Sequence, residues 1–267
     1  MNLITGFHRS GTSCVAGALY RAGLRMGDEG DMIRNLADNI KGHFELKEYV
    51  ALNDRILWSA GYTWSGVFGF IASLGITKVE LKNYSSLVTE AERLDKKYIA
   101  ESITVKDPRF CLTLNFWVRV YGPEKTRVLV VLRDPKKAIS SLVKRNSWLG
   151  YSNACFLYQV YMQTLWIRLN AFNVNFKVIE YEEVLNAETR VYVLKEALEF
   201  LSAEGIYPNE FDLDAACDFV DKSLNHEGTD KESWRVEGSK IASPFFEYST
   251  ISGIYDMFRL HKYNGGR

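Results

Sequence analysis

The stretch that most restricts what this chain can fold into is "LITGFHRSGTSCVAGALYRAGL", residues 3 to 24. A short apolar run ends at Gly6, a polar loop follows, and apolar residues then recur at helical spacing until Gly23. A strand feeding a helix through such a turn aims several backbone N–H groups at one point, and the helix dipole adds to the pull on an anion. The loop has the G-x-x-x-x-G-x-S/T spacing of a phosphate-binding loop, with Gly6, Gly11 and Ser13 in place. Thr12, however, stands where a nucleoside triphosphatase needs the lysine that spans its β- and γ-phosphates, which argues against ATP or GTP hydrolysis. Arg9, inside the loop, offers instead a planar and permanently charged fork, and the Thr12 and Ser13 hydroxyls can donate beside it. The competing reading is a glycine turn that only packs a helix on a strand, with Arg9 solvated.

Further strands and helices alternate along the chain. "SITVKD" (102 to 107), "RVLVVLRD" (127 to 134) and "FKVIEY" (176 to 181) read as strands, the second apolar enough to be buried on both faces of a parallel sheet. "EYVALNDRILWSA" reads as a helix, and "PKKAISSLVKRNSW" as another with Pro135 at its first position. "NACFLYQVYMQTLWIRLNAF" reads as a long amphipathic helix, and "NAETRVYVLKEALEFL" as one capped by Asn186. This order predicts an α/β fold with a central, mostly parallel sheet flanked by helices. Residues 28 to 100 separate the first two strands, and an insertion of that size is expected to form a lid or an acceptor wall. Residues 225 to 241 are polar and mixed in charge, and read as a mobile loop before a final short helix.

Composition narrows the function classes. A chain of 267 residues with 47% hydrophobic content can bury one large core, so 1 to 267 reads as a single domain. Lys plus Arg and Asp plus Glu both total 33, so no overall positive field exists to hold a nucleic acid, and any anion site must be local. Cys14, Cys111, Cys155 and Cys217 are widely spread without C-x-x-C spacing, which suits reduced packing residues and a cytoplasmic location. No signal-like leader and no run of 18 or more apolar residues occurs, so no membrane span is expected. No H-E-x-x-H or clustered Cys/His set implies a metal.

Four stretches together resemble one family. "GFHRSGTS" looks like the 5'-phosphosulfate loop of sulfotransferases that use 3'-phosphoadenosine 5'-phosphosulfate (PAPS), in the arginine form of tyrosylprotein and several bacterial members. "LRDPKKAISSL" resembles the family's 3'-phosphate segment, a strand ending in Arg followed eight residues later by Ser, here Arg133 and Ser141. "TVKDPRF" resembles the segment whose lysine stabilises the sulfuryl group in flight, here Lys106. "FKVIEYEEVL" resembles the Y-E-x-L segment, which sets Tyr181 on the adenine or 3'-phosphate side, either stacked on the purine or as a buried structural tyrosine.

The resemblance implies a single three-layer P-loop-like domain with PAPS as cofactor. His8, Arg9, Ser10, Gly11, Thr12 and Ser13 would hold the 5'-phosphosulfate, and Arg133, Ser141 and Tyr181 the remainder. Cytosolic hormone sulfotransferases carry a catalytic histidine two residues after the lysine, where this chain has Pro108, so the base must come from elsewhere. Glu45 in "GHFE" is the first candidate and His43 the second; the other reading is that Glu45 only faces the positive end of the next helix. Trp58, Tyr62, Trp64 and Trp148 flank this region, which favours a hydroxyl-bearing carbohydrate or small metabolite as acceptor. The alternatives are a nucleotide or small-molecule kinase with a degenerate loop, and a nucleotide-binding protein without catalysis.

Overall fold

The computed structural model describes residues 1–33, 42–65, 83–98, 103–202, 211–220 and 248–263. Four strands, β1 (Asn2–Thr5), β2 (Thr104–Lys106), β3 (Arg127–Leu132) and β4 (Asn175–Glu180), form one sheet in the order β2-β1-β3-β4. All neighbours run parallel, with Leu3 opposite Val105 and Val128, and Val130 opposite Val178. Val128 to Leu132 are essentially inaccessible, as an apolar run covered on both faces requires.

Ten α-helices occur among the described residues: α1 (Thr12–Arg21), α2 (Lys47–Ser59), α3 (Tyr84–Tyr98), α4 (Phe110–Tyr121), α5 (Pro135–Arg145), α6 (Tyr151–Ala171), α7 (Tyr181–Leu185), α8 (Arg190–Ser202), α9 (Leu213–Phe219) and α10 (Tyr248–Tyr263). Helices α1, α8 and α9 pack together on one side of the sheet, and α4, α6 and α10 pack on the other, giving three layers. The α/β class with a parallel central sheet is therefore as the sequence predicts.

Local chemistry explains most boundaries. Helix α1 stops where Gly23, at φ 100°, lets the Leu24 amide reach back to the Leu19 carbonyl at 3.0 Å and its own amide to Tyr20 at 3.0 Å. Helix α5 starts with Pro135 behind Asp134, whose carboxylate accepts from the Lys137 amide at 3.1 Å. The buried residues of α2, Tyr49, Leu52, Asn53, Ile56 and Leu57, keep helical spacing and turn one face inward.

Three expectations need correcting. Asn186 does not open the following helix: it ends α7, its side chain accepts from the Glu188 amide at 3.1 Å, and α8 begins four residues later. Helix α6 is buried around most of its circumference rather than along one stripe, because α4, α5 and α10 all pack on it. The last helix, α10, is 16 residues long rather than short. The expected loop at 225 to 241 lies outside the described residues, and of the 28–100 insertion the described parts include α2, α3 and a 3-10 turn at Glu29–Asp31. No described helix is long and apolar enough to cross a membrane, and the four cysteines are free thiols.

Candidate functional site

The strand order places a crevice where the sheet's connections diverge. From β1 the chain goes to β2 on one side, then crosses to β3 on the other, so the carboxyl ends of β1 and β3 mark the switch point at which the crevice of a parallel sheet is expected. Residues 6–11 leave β1 there, Arg133 follows β3, and Lys106 ends β2 beside them.

The loop is held in an anion-receptive shape by close packing. Gly11 lies at φ 84°, and a Cβ there would sit 2.2 Å from a ring carbon of Tyr181; a Cβ on Gly6 would sit 2.3 Å from the Val131 carbonyl oxygen. No side chain caps α1, so its first amides face the crevice without a protein acceptor from a cap residue. Ser10 and Thr12 are buried, whereas His8, Arg9, Gly11 and Ser13 are half-buried and line the opening.

Arg9 has φ 66°, and this left-handed turn sends its side chain across the crevice, where Nε donates to Ser141 Oγ at 3.0 Å. Arg133 Nη1 donates to the Arg9 carbonyl at 2.9 Å, and its guanidinium carbon lies 5.2 Å from the centroid of the Tyr181 ring. The residues expected at the two phosphates thus form one connected group, and Arg9 spans both ends instead of serving the loop alone. Tyr181 is only 5% exposed, wedged beneath Gly11 and against Arg133. Its ring supports the loop and the arginine and offers no open face for a purine.

At the other end of the loop, Lys106 Nζ meets Glu45 Oε1 at 2.6 Å, Ser13 Oγ at 3.0 Å and the His43 carbonyl at 3.1 Å. An ammonium has three N–H donors, and all three are engaged. Burial pushes the Glu45 carboxyl up, but the charge and hydrogen bond of Lys106, with Arg109 behind it at 4.0 Å, hold it below the usual carboxylate range. His43 meets the lysine through its backbone carbonyl.

A buried network fixes this end. Asp107 accepts from Asn53 Nδ2 at 2.8 Å and from the Arg109 amide at 2.9 Å and guanidinium at 3.1 Å. Arg109 Nε donates to Asp54 at 2.7 Å, so Arg109 links the turn after β2 to both Asp54 and Glu45. Asn53 Oδ1 in turn accepts from Thr113 Oγ1 and Trp117 Nε1, each at 2.8 Å. His8 lies between the two ends of the loop, its Nε2 3.0 Å from Tyr161 Oη and its ring 5.0 Å from that of Trp64.

Of the expected aromatic wall, Trp64 therefore belongs to the site. Tyr62 is buried, and Trp58 and Trp148 are 73% and 66% exposed. Sequence reasoning missed Asn53, Tyr161 and Arg145, the last of which is near enough to His8 for its charge to lower the imidazole pKa. A signal existed for two of them: Asn53 is a polar residue on the apolar face of α2, and Arg145 follows Ser141 by one helical turn on α5. Tyr161 has no such mark among the apolar residues of α6.

The fold and the site together define a class: an α/β protein with a parallel sheet whose switch-point crevice is lined by arginine and lysine. No family model matches the chain, and no curated protein does. Among the described residues, no group of three or more His, Cys, Asp or Glu side chains is arranged to hold a metal ion.

Proposed function

We propose that the chain is a PAPS-dependent sulfotransferase that moves a sulfuryl group to a hydroxyl of a carbohydrate or small metabolite. The observation that carries this reading is the pairing of two cationic groups across one uncapped helix N-terminus, Arg9–Arg133–Ser141 on one side and Lys106–Ser13 on the other. A nucleotide with phosphate at both its 3' and 5' positions presents two anionic groups, one for each cationic side, and the chain lacks the lysine that a triphosphate needs.

The residues present fit the cofactor. Arg133 and Ser141 would hold its 3'-phosphate, with Arg9 shared between the two phosphates, and the loop amides and Ser13 would hold the 5'-phosphosulfate. Bound there, PAPS supplies an activated sulfuryl group. To serve the leaving oxygen Lys106 would have to release one of its three partners; the Ser13 hydroxyl, neutral and on the loop itself, is the one that would yield. The buried Lys106 ammonium would there stabilise the charge that grows on the leaving phosphate. The acceptor's proton goes to a base in the same pocket. Glu45 and His43 are the candidates from sequence, and Lys106 and Arg109 weaken Glu45 as a base by favouring its ionised form.

Calorimetric titration with 3'-phosphoadenosine 5'-phosphate, beside ADP and ATP with Mg, tests the reading. The 3'-phosphorylated nucleotide should bind preferentially, and Arg133→Ala should weaken it about 30-fold or more, since a charge-assisted contact contributes about 2 kcal/mol. Preference for ATP, or indifference to the 3'-phosphate, refutes it.

A further inference from the structure

His8 makes a hydrogen bond whose direction can be deduced. Tyr161 Oη donates its one proton to the Trp64 backbone carbonyl at 2.8 Å, and a carbonyl can only accept. The 3.0 Å contact between His8 Nε2 and the same Tyr161 oxygen therefore needs its proton from histidine, so Nε2 carries the N–H. Burial first, then the charges of Arg109, Lys106, Arg145 and Arg9, push the His8 pKa well below its ordinary value, and the ring is neutral. Nδ1 then holds a lone pair. Among the described residues the hydrogen bond that His8 makes is through Nε2, and the residue as a whole is half-buried rather than enclosed, which leaves Nδ1 as its unused acceptor there. The ring cannot swing away easily, because Trp64 and Tyr161 each lie 5.0 Å from it and Phe7 5.9 Å.

We propose that His8 Nδ1 is the proton acceptor for the attacking hydroxyl, with Tyr161 as the positioning residue that fixes its tautomer. This rests on the sulfuryl-transfer reading above. The hydroxyl's O–H bond breaks and its proton goes to Nδ1, while an oxygen electron pair forms the new O–S bond. The S–O bond to the phosphate breaks with its electron pair leaving on the phosphate oxygen, and the imidazolium later releases its proton to solvent.

The same arrangement makes the base depend on the nucleotide. The four cations that depress His8 come from the loop (Arg9), the end of β2 (Lys106), the turn before α4 (Arg109) and α5 (Arg145); α6 contributes Tyr161, whose own hydroxyl burial keeps protonated. These cations surround the crevice in which the phosphates would lie, so a bound bisphosphate offsets them and restores basicity to the ring. Because the bound form then has the higher His8 pKa, nucleotide binding takes up a proton between the two pKa values, and affinity rises as pH falls through the bound-state pKa toward that of the free protein.

The test is nitrogen NMR on histidine-labelled protein, titrated with pH with and without 3'-phosphoadenosine 5'-phosphate. His8→Gln assigns the signal, and calorimetry is run in parallel. The free protein should show the Nε2–H tautomer, still neutral at about pH 6.5, and saturating nucleotide should raise the pKa by about one pH unit or more. Tyr161→Phe should mix the tautomers while leaving nucleotide affinity within about threefold, and hydrolysis of PAPS, with water as acceptor, should fall about 100-fold in His8→Gln. An Nδ1–H tautomer, a pKa unmoved by bound nucleotide, or hydrolysis unchanged in His8→Gln overturns the proposal while leaving the sulfotransferase reading intact. Absence of nucleotide binding in the calorimeter overturns both.

Discussion

Replacing Glu45 with Gln removes the negative partner of a lysine that has nowhere else to place its charge. The Lys106 side chain is 1% exposed and Glu45 only 12%, so solvent screens their 2.6 Å contact weakly. Breaking a buried ion pair by removing one partner costs about 3–5 kcal/mol. Gln keeps the shape and one carbonyl oxygen able to accept from Nζ, which returns about 1 kcal/mol. The Ser13 hydroxyl and the His43 carbonyl remain in place. Arg109 loses a partner at 4.0 Å but keeps Asp107 and Asp54. The expected loss is therefore about 2–4 kcal/mol, equivalent to roughly 4–16 °C in Tm for a chain of this size. Urea unfolding measures it as a lower midpoint at unchanged m. The pair also has a pH signature: Glu45 is held below its ordinary pKa, so its contribution is present above about pH 4.5 and is lost as pH falls through the lower folded value. Glu45→Gln should flatten that part of the acid-denaturation profile. Sulfate should stabilise the variant more than the wild type, because an anion at Lys106 restores the missing charge. A loss under about 1 kcal/mol, with no change in the acid profile, would refute the view that Glu45 neutralises a buried lysine.

Gly11→Ala should cost about 3 kcal/mol by urea unfolding, since the new methyl meets the Tyr181 ring at 2.2 Å in a left-handed backbone, and it should abolish nucleotide binding in the calorimeter. Asn53→Leu fills the same space but leaves Asp107, Thr113 and Trp117 without a shared partner, and should destabilise by about 3 kcal/mol or more; a neutral result would mean that the network rearranges.

The strands and the loop were legible because their signals are local. β3 is apolar at consecutive positions, and the left-handed turn at Gly11 needs a glycine whatever lies around it. Helix α6 misled because a count of apolar residues along a helix does not say how many neighbours will cover it; three helices do. Asn186 looked like a cap because its type suits one, but the short α7 ends there first. Lys106 and Glu45 were each legible as candidates, while their contact was not, since it joins residues 61 apart through a turn and a strand end. The reach of Arg9 to Ser141 depends on one backbone angle at Arg9, which no residue pattern records.

The insertion between β1 and β2 is therefore more than a covering. Glu45 sits just before α2, and α2 is fixed to the end of β2 by Asn53 on Asp107 and by Asp54 on Arg109. Burial raises the Asp107 pKa and the Arg109 charge opposes that, while Asn53 on α2 donates to the same carboxylate. The distance from Glu45 to Lys106 is set by this docking and not by either residue alone. A substitution at Asn53, with no side-chain contact to the crevice, should change the environment of Lys106 as well as stability. That link makes α2, contributed by the insertion, part of the same rigid unit as the loop after β1.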